Sequence, residues 1–246
     1  MFRSFQLAAA VLGLVAFSQP GLLAQTLEEV VAKNLAAKGG AETLRATNTA
    51  RLQARVSIPP PRPDADPLVM RIIVWTQRPN LVRRDMTVGD ETRTLGFDGK
   101  TVWQSTPAGV APVTGPQADA FRSEGEFDSV LLTYQEQGHL VELLSDETLD
   151  SQRVHRIRVQ RKEGPIQTYY LDVETGLEHK VTTESNIAGQ RVVSEMLLSD
   201  YRTIDGRRAP FKARQFVNGQ LAAEISFEEV VFNVPFRENL FSMPGR

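Results

Sequence analysis

The chain of 246 residues has no cysteine and only three histidines. The first absence excludes disulfides, thiolate metal sites, cysteine nucleophiles and iron–sulfur clusters, and the second argues against a histidine-built metal site. An excess of one charge is missing too: 28 Lys+Arg face 30 Asp+Glu, a formal balance of −2. A nucleic-acid binder carries a strongly basic domain or face, so nucleic acid is not an expected partner. There is no Gly-x-Ser-x-Gly, no phosphate-binding glycine loop and no His-Glu-x-x-His. Apolar residues at 41 % and charged residues at 24 % point to an ordinary folded core rather than disorder.

What is present begins with a targeting pattern. Met1–Ser4 carries Arg3, Phe5–Phe17 is almost wholly apolar, and Ser18-Gln19-Pro20-Gly21 breaks the run before Leu22-Leu23-Ala24. A charged start, a short apolar stretch and a small residue at the cut are the parts of a secretory signal peptide. The apolar run is too short for a membrane helix, which needs about 20 residues. Residues 1–24 are therefore expected to be a cleaved signal peptide, leaving residues 25–246 as one soluble, exported domain, periplasmic in a host with two membranes. Gln25 stands where a bacterial lipoprotein signal requires its acylated cysteine, so no lipid anchor of that kind is expected.

Thr26-Leu-Glu-Glu29 is a capping box ahead of Leu27, Val30, Val31 and Leu35 at helical spacing, with Gly39-Gly40 as the stop. This predicts a helix over 27–38 and a short helical turn at 41–46. Strand patterns follow at 49–58, 68–77, 81–88, 91–97 and 100–106, and again from 139 to 232, punctuated by Gly89-Asp90, Asp98-Gly99, Thr175-Gly176, Asp205-Gly206 and Asn218-Gly219. Strand 68–77 is apolar on both parities, which predicts cover on both faces. Pro59–Pro67, with five prolines, and Pro107–Gly115 are expected to be loops. Thr114-Gly-Pro-Gln117 and Ser123-Glu-Gly-Glu126 predict capped helices at 116–124 and 126–137. The sum is a mainly β, α+β chain. About eleven strands form a curved antiparallel meander, an incomplete β-barrel whose open face is covered by the N-terminal helix and the short mid-chain helices.

Few residues speak for chemistry. His139, His155 and His179 are scattered over three strands, and His155 alternates with Ile157 and Val159 as a buried structural histidine would. Glu228 and Glu229 are adjacent on a strand and point to opposite faces, so they do not form an acid–base pair. No catalytic residue, metal ligand or cofactor is expected, and the chain is read as a non-enzyme. Arginine supplies 22 of the 28 basic residues, and Arg83-Arg84, Arg156/Arg158 and Arg207-Arg208 recur in or beside strands. A row of guanidinium groups suits phosphate or carboxylate; the alternative is a solvated sheet face. Trp75, Trp103, Phe121, Phe127, Leu131, Tyr134, Tyr169 and Met196 are the candidates to line an apolar cavity under a helical lid. The competing reading of each is ordinary core packing.

Four stretches carry a family likeness. They are Leu27–Leu44, Tyr170-Leu-Asp-Val-Glu-Thr-Gly-Leu177 ahead of Lys180, Ser199–Phe211, and Phe232-Asn-Val-Pro235 with Leu240-Phe-Ser-Met-Pro244. On these the chain resembles the LolA/LolB-like superfamily of bacterial envelope proteins, specifically its outer membrane lipoprotein-sorting relatives. The resemblance implies an incomplete barrel closed by helices around a hydrophobic cavity. It also implies a periplasmic carrier of lipid or lipoprotein acyl chains, monomeric, that meets a membrane-anchored donor or acceptor. The missing acylated cysteine matches the soluble carrier. A second reading keeps the same fold as a non-enzymatic envelope sensor or interaction module for a partner protein.

Overall fold

The computed structural model describes residues 25–62, 64–162, 164–187 and 189–245; the expected signal peptide lies outside these residues. Thr26 starts α1 (Leu27–Ala37) with both bonds of the capping box, and the chain leaves the helix through Gly39 and Gly40 at positive φ. Gly39 is obligatory, because a Cβ there would sit 2.4 Å from the Gly206 carbonyl oxygen. The short α2 (Ala41–Arg45) then feeds the first strand.

Thirteen strands follow: β1 (Thr49–Ile58), β2 (Leu68–Gln77), β3 (Leu81–Val88), β4 (Glu91–Phe97), β5 (Val102–Thr106), β6 (Gly109–Val113), β7 (Leu140–Leu149), β8 (Gln152–Gln160), β9 (Ile166–Asp172), β10 (Glu178–Ile187), β11 (Gln190–Ile204), β12 (Arg207–Val217) and β13 (Gln220–Phe232). They form one antiparallel sheet in the order β6-β5-β4-β3-β2-β1-β13-β12-β11-β10-β9-β8-β7. Two meanders are thus stitched together where β1 pairs with β13, with Ala50 opposite Phe232 and a bulge after Gln53. The curved sheet does not close: β6 and β7 are its two edges. The chain between them carries α3 (Pro116–Glu124) and α4 (Val130–Gln137), so it must cross from one edge to the other.

The expected incomplete barrel with helices over one face is present, with thirteen strands where about eleven are legible. Residues 107–115 are not a loop, because β6 lies within them and pairs with β5, Val113 opposite Val102. Gly109, Ala111 and Pro112 are poor strand formers, but an edge strand leaves alternate N–H groups without a partner and so tolerates proline. The two mid-chain capping boxes do not form. Gly115 precedes α3 and Pro116 opens it, while α4 starts only after Ser129, neither helix having a side-chain cap. The expected double cover of β2 fails as well. None of its residues is fully buried, and Leu68 and Val69 are exposed.

Helices pack on one face of the sheet and make two separate cores. Val30 and Val31 of α1 with Val130 and Leu131 of α4 cover Ile157, Val159, Tyr169 and Leu171 on β8 and β9. Ala118 and Phe121 of α3 cover Val82, Leu95, Phe97, Val102 and Val113 on β3–β6. Between these cores the central strands present Ala50, Ala54, Ala213 and Ala223.

Candidate functional site

Short side chains at the centre of the covered face and two separated helical caps leave a cleft between them. Its volume is about 350 Å³. Its floor is Ala50 and Leu52 of β1, Thr76 of β2, Ala209 and Pro210 of β12, and Val230 and Phe232 of β13. Register places these together, since Ala50 lies opposite Thr76 on one side and Phe232 on the other, and Leu52 opposite Val230. Leu44 and Thr47, at the end of α2 and just after it, and Phe127, Ser129 and Leu132, around the start of α4, form the opposing wall.

Of the expected cavity residues, only Phe127 lines this cleft. Leu131 is 1 % exposed and packs into the core with α1, beside Tyr134 and Tyr169. Phe121 belongs to the α3 core. Met196 is half-buried on β11, opposite Val181 and Gln215, and takes no part in the cleft. Trp75 and Trp103 lie on the opposite, outer face. Trp75 alternates with Thr76 and sits in a groove with Val234, Pro235 and Phe236. Trp103 is 0 % exposed and donates from its indole N–H to the Phe241 carbonyl at 2.8 Å. Seven of the eight residues therefore occupy two helix-covered cores, the outer face and the cleft, and Met196 stands apart on β11, so they do not line one cavity.

Sequence reasoning misses Leu44, Leu52, Leu132, Val230 and Phe232. On β1 and β13 these residues alternate as any core strand does. On α4 the choice between Leu131 and Leu132 is a helical phase of about 100°, which depends on how the helix is rolled against the sheet.

Polar groups ring the cleft. Arg78 donates to the carbonyls of Thr47 (2.6 Å) and Leu44 (3.2 Å), pairs with Asp128 through both terminal nitrogens, and stacks over Phe127. Glu126 pairs with Arg161, and Lys38 with Glu178 at 2.7 Å. Arg207 donates to the Thr47 hydroxyl (2.6 Å) and to the carbonyls of Asp205 (2.9 Å) and Thr43 (3.3 Å), with its guanidinium over the Phe232 ring. Most other arginines are held locally: Arg83 by Asp85, Arg84 by Glu124 and Arg156 by Glu147. His155 is buried, its Nδ1 2.8 Å from Asp146. That burial is what its alternation with Ile157 and Val159 suggests.

No protein-family model matches the chain, and no curated protein matches it in sequence. Solved structures do match in fold. A LolA superfamily protein from Nitrosomonas europaea aligns with a TM-score of 0.62 and 11 % identity, covering 89 % of this chain and 98 % of that one. A DUF1329 family protein from Desulfovibrio piger gives 0.60 and 11 %, over 87 % and 96 %. An outer membrane lipoprotein-sorting protein domain from Vibrio parahaemolyticus gives 0.59 and 12 %, over 87 % and 95 %. At such identities the likeness is one of fold, and it extends over most of the chain.

Proposed function

We propose that this chain is a non-enzymatic carrier that shelters an acyl chain of a lipid or lipoprotein in the cleft between its two helical caps. The observation that carries the reading is the apolar cleft of about 350 Å³ on the covered face of a LolA-like sheet. Phe127, Leu44, Leu52, Leu132, Val230 and Phe232 are the residues proposed to touch the chain. Transfer of methylenes from water to such a surface contributes about 0.8 kcal/mol each, so a modest length of chain suffices for useful affinity after ordering costs. Residues 25–246 are proposed as the mature, monomeric domain. It would be released to the periplasm by the N-terminal segment and would exchange cargo with a membrane-anchored donor or acceptor. Among the described residues no helix is long and apolar enough to cross a membrane.

The test is native mass spectrometry of the protein exported to a periplasm, followed by solvent extraction and lipid analysis. Near-stoichiometric phospholipid or acylated peptide is expected. Ala209→Trp, which fills the cleft floor from a half-buried position, is expected to lower the loaded fraction at least tenfold with little change in Tm. A clean unloaded mass for the exported wild-type protein overturns the carrier reading and leaves the fold as an interaction module.

A further inference from the structure

Five ionisable side chains line the cleft: Lys38, Glu126, Asp128, Arg207 and Arg208. Three of them are neutralised by an opposite charge, Glu126 by Arg161, Asp128 by Arg78 and Lys38 by Glu178. Arg207 and Arg208 have no carboxylate partner among the described residues. For Arg208, half-buried at the cleft wall, this is unremarkable. For Arg207 it is not, because the residue is 7 % exposed and buried cations are ordinarily paired.

Arg78 supplies the control within the same molecule. Both guanidiniums reach the last turn of α2 and the residues after it, Arg78 at the carbonyls of Leu44 and Thr47, Arg207 at the carbonyl of Thr43 and the hydroxyl of Thr47. Arg78 completes its shell with the carboxylate of Asp128. Arg207 has only neutral acceptors, and they engage three of the five N–H groups a guanidinium carries. Its ring contact is Phe232, which is itself part of the apolar cleft wall. An unneutralised fork thus borders directly on an apolar surface, the arrangement that fits a molecule with an anionic end and a hydrocarbon end. The cleft volume lies at the lower end of the roughly 300–1,000 Å³ found for small-molecule sites, which suits one chain rather than several.

We propose that the cleft takes a single-chain amphiphile whose anionic head, a carboxylate or a phosphate ester, sits on Arg207 as Asp128 sits on Arg78, with Arg208 adding its charge from the cleft wall. This rests on the carrier reading and adds to it a head-group selectivity. The hydrocarbon then runs from Phe232 toward Leu52, Leu132 and Phe127.

The experiment is displacement of the neutral probe N-phenyl-1-naphthylamine from the delipidated full mature chain, with palmitate, lysophosphatidylglycerol and hexadecanol as competitors. The two anions are expected to compete at least tenfold better than the alcohol. Arg208→Gln and Arg207→Gln are expected to erase that preference while leaving the affinity for hexadecanol within about twofold. Arg207→Gln also removes bonds to α2, so Arg208→Gln carries the test should the first variant melt early. Equal competition by acid and alcohol in the wild type overturns the head-group assignment and leaves the carrier reading standing. Failure of every amphiphile to displace the probe, or of the probe to bind, overturns the carrier reading itself. Inorganic phosphate is the remaining arm: a rise in Tm as large as that given by the amphiphiles would make the pair a free-anion site and sink the proposal.

Discussion

Glu178, at the start of β10, has 5 % of its surface exposed and reaches the Lys38 ammonium at 2.7 Å, with the Tyr201 hydroxyl donating to it from β11. Burial pushes its carboxyl pKa upward, but the charge and hydrogen bond of Lys38 outweigh that and hold it below the usual carboxylate range. A pKa depressed by folding contributes stability that is complete above the unfolded value and is lost as pH falls through the folded one. Lys38→Met leaves a buried carboxylate without its counter-ion and is expected to lower stability by about 3 kcal/mol at pH 7 in urea titrations. In the variant the largest opposition to burial is gone, so Glu178 is protonated at a higher pH than in the wild type and its penalty fades as the solution is acidified. The gap between variant and wild type should therefore narrow as the solution is acidified through the carboxylate range. A gap that is the same at every pH would show that the pair acts through packing alone.

At the scale of elements, the C-terminal segment after β13 works as a strap on the outer face of the sheet. Trp103 is held there by the Phe241 carbonyl, Phe241 meets Phe236 edge-on at 5.9 Å, and Arg83 donates to the Leu240 carbonyl at 3.2 Å. Gly96 makes room for the indole, since a Cβ at that position would lie 2.3 Å from its ring. Deleting residues 235–246 should uncover Trp103 and further expose Trp75, shift the emission to the red and remove about 3 kcal/mol of stability. An unchanged spectrum would refute the strap. The ending Leu240–Pro244 is recognisable as a motif in the sequence. Its destination is not, because nothing local says which face of the sheet a tail without regular structure will follow.

For the whole molecule, the pairing of β1 with β13 is what turns two meanders into one sheet. It also places the central strands β1, β12 and β13 furthest from the open edges. Amide exchange measured by mass spectrometry should be slowest in those three strands and fastest in β6, an edge strand of five residues containing proline. Protection of β6 equal to that of β1 would mean that the edge is covered by a partner or a second copy. The other edge, β7, begins with Leu140, which is 70 % exposed.

The sequence by itself determined the elements and the class. Alternation set the strands, Thr26–Glu29 and Gly39-Gly40 bounded α1, Asp-Gly and Asn-Gly turns made the connections antiparallel, and so many consecutive strands had to curl. All of these are local signals, read within a few residues. Which apolar residues meet in a cleft was decided only by tertiary structure. Trp75 and Thr76 point to opposite faces by one step of the strand, Leu131 and Leu132 by one step of the helix, and the face each step selects follows from the register with distant partners. The same holds for Arg207. Its pairing with Arg208 is visible in the sequence, but the lack of a carboxylate partner in its buried setting exists only once α2, β12 and β13 have been brought together.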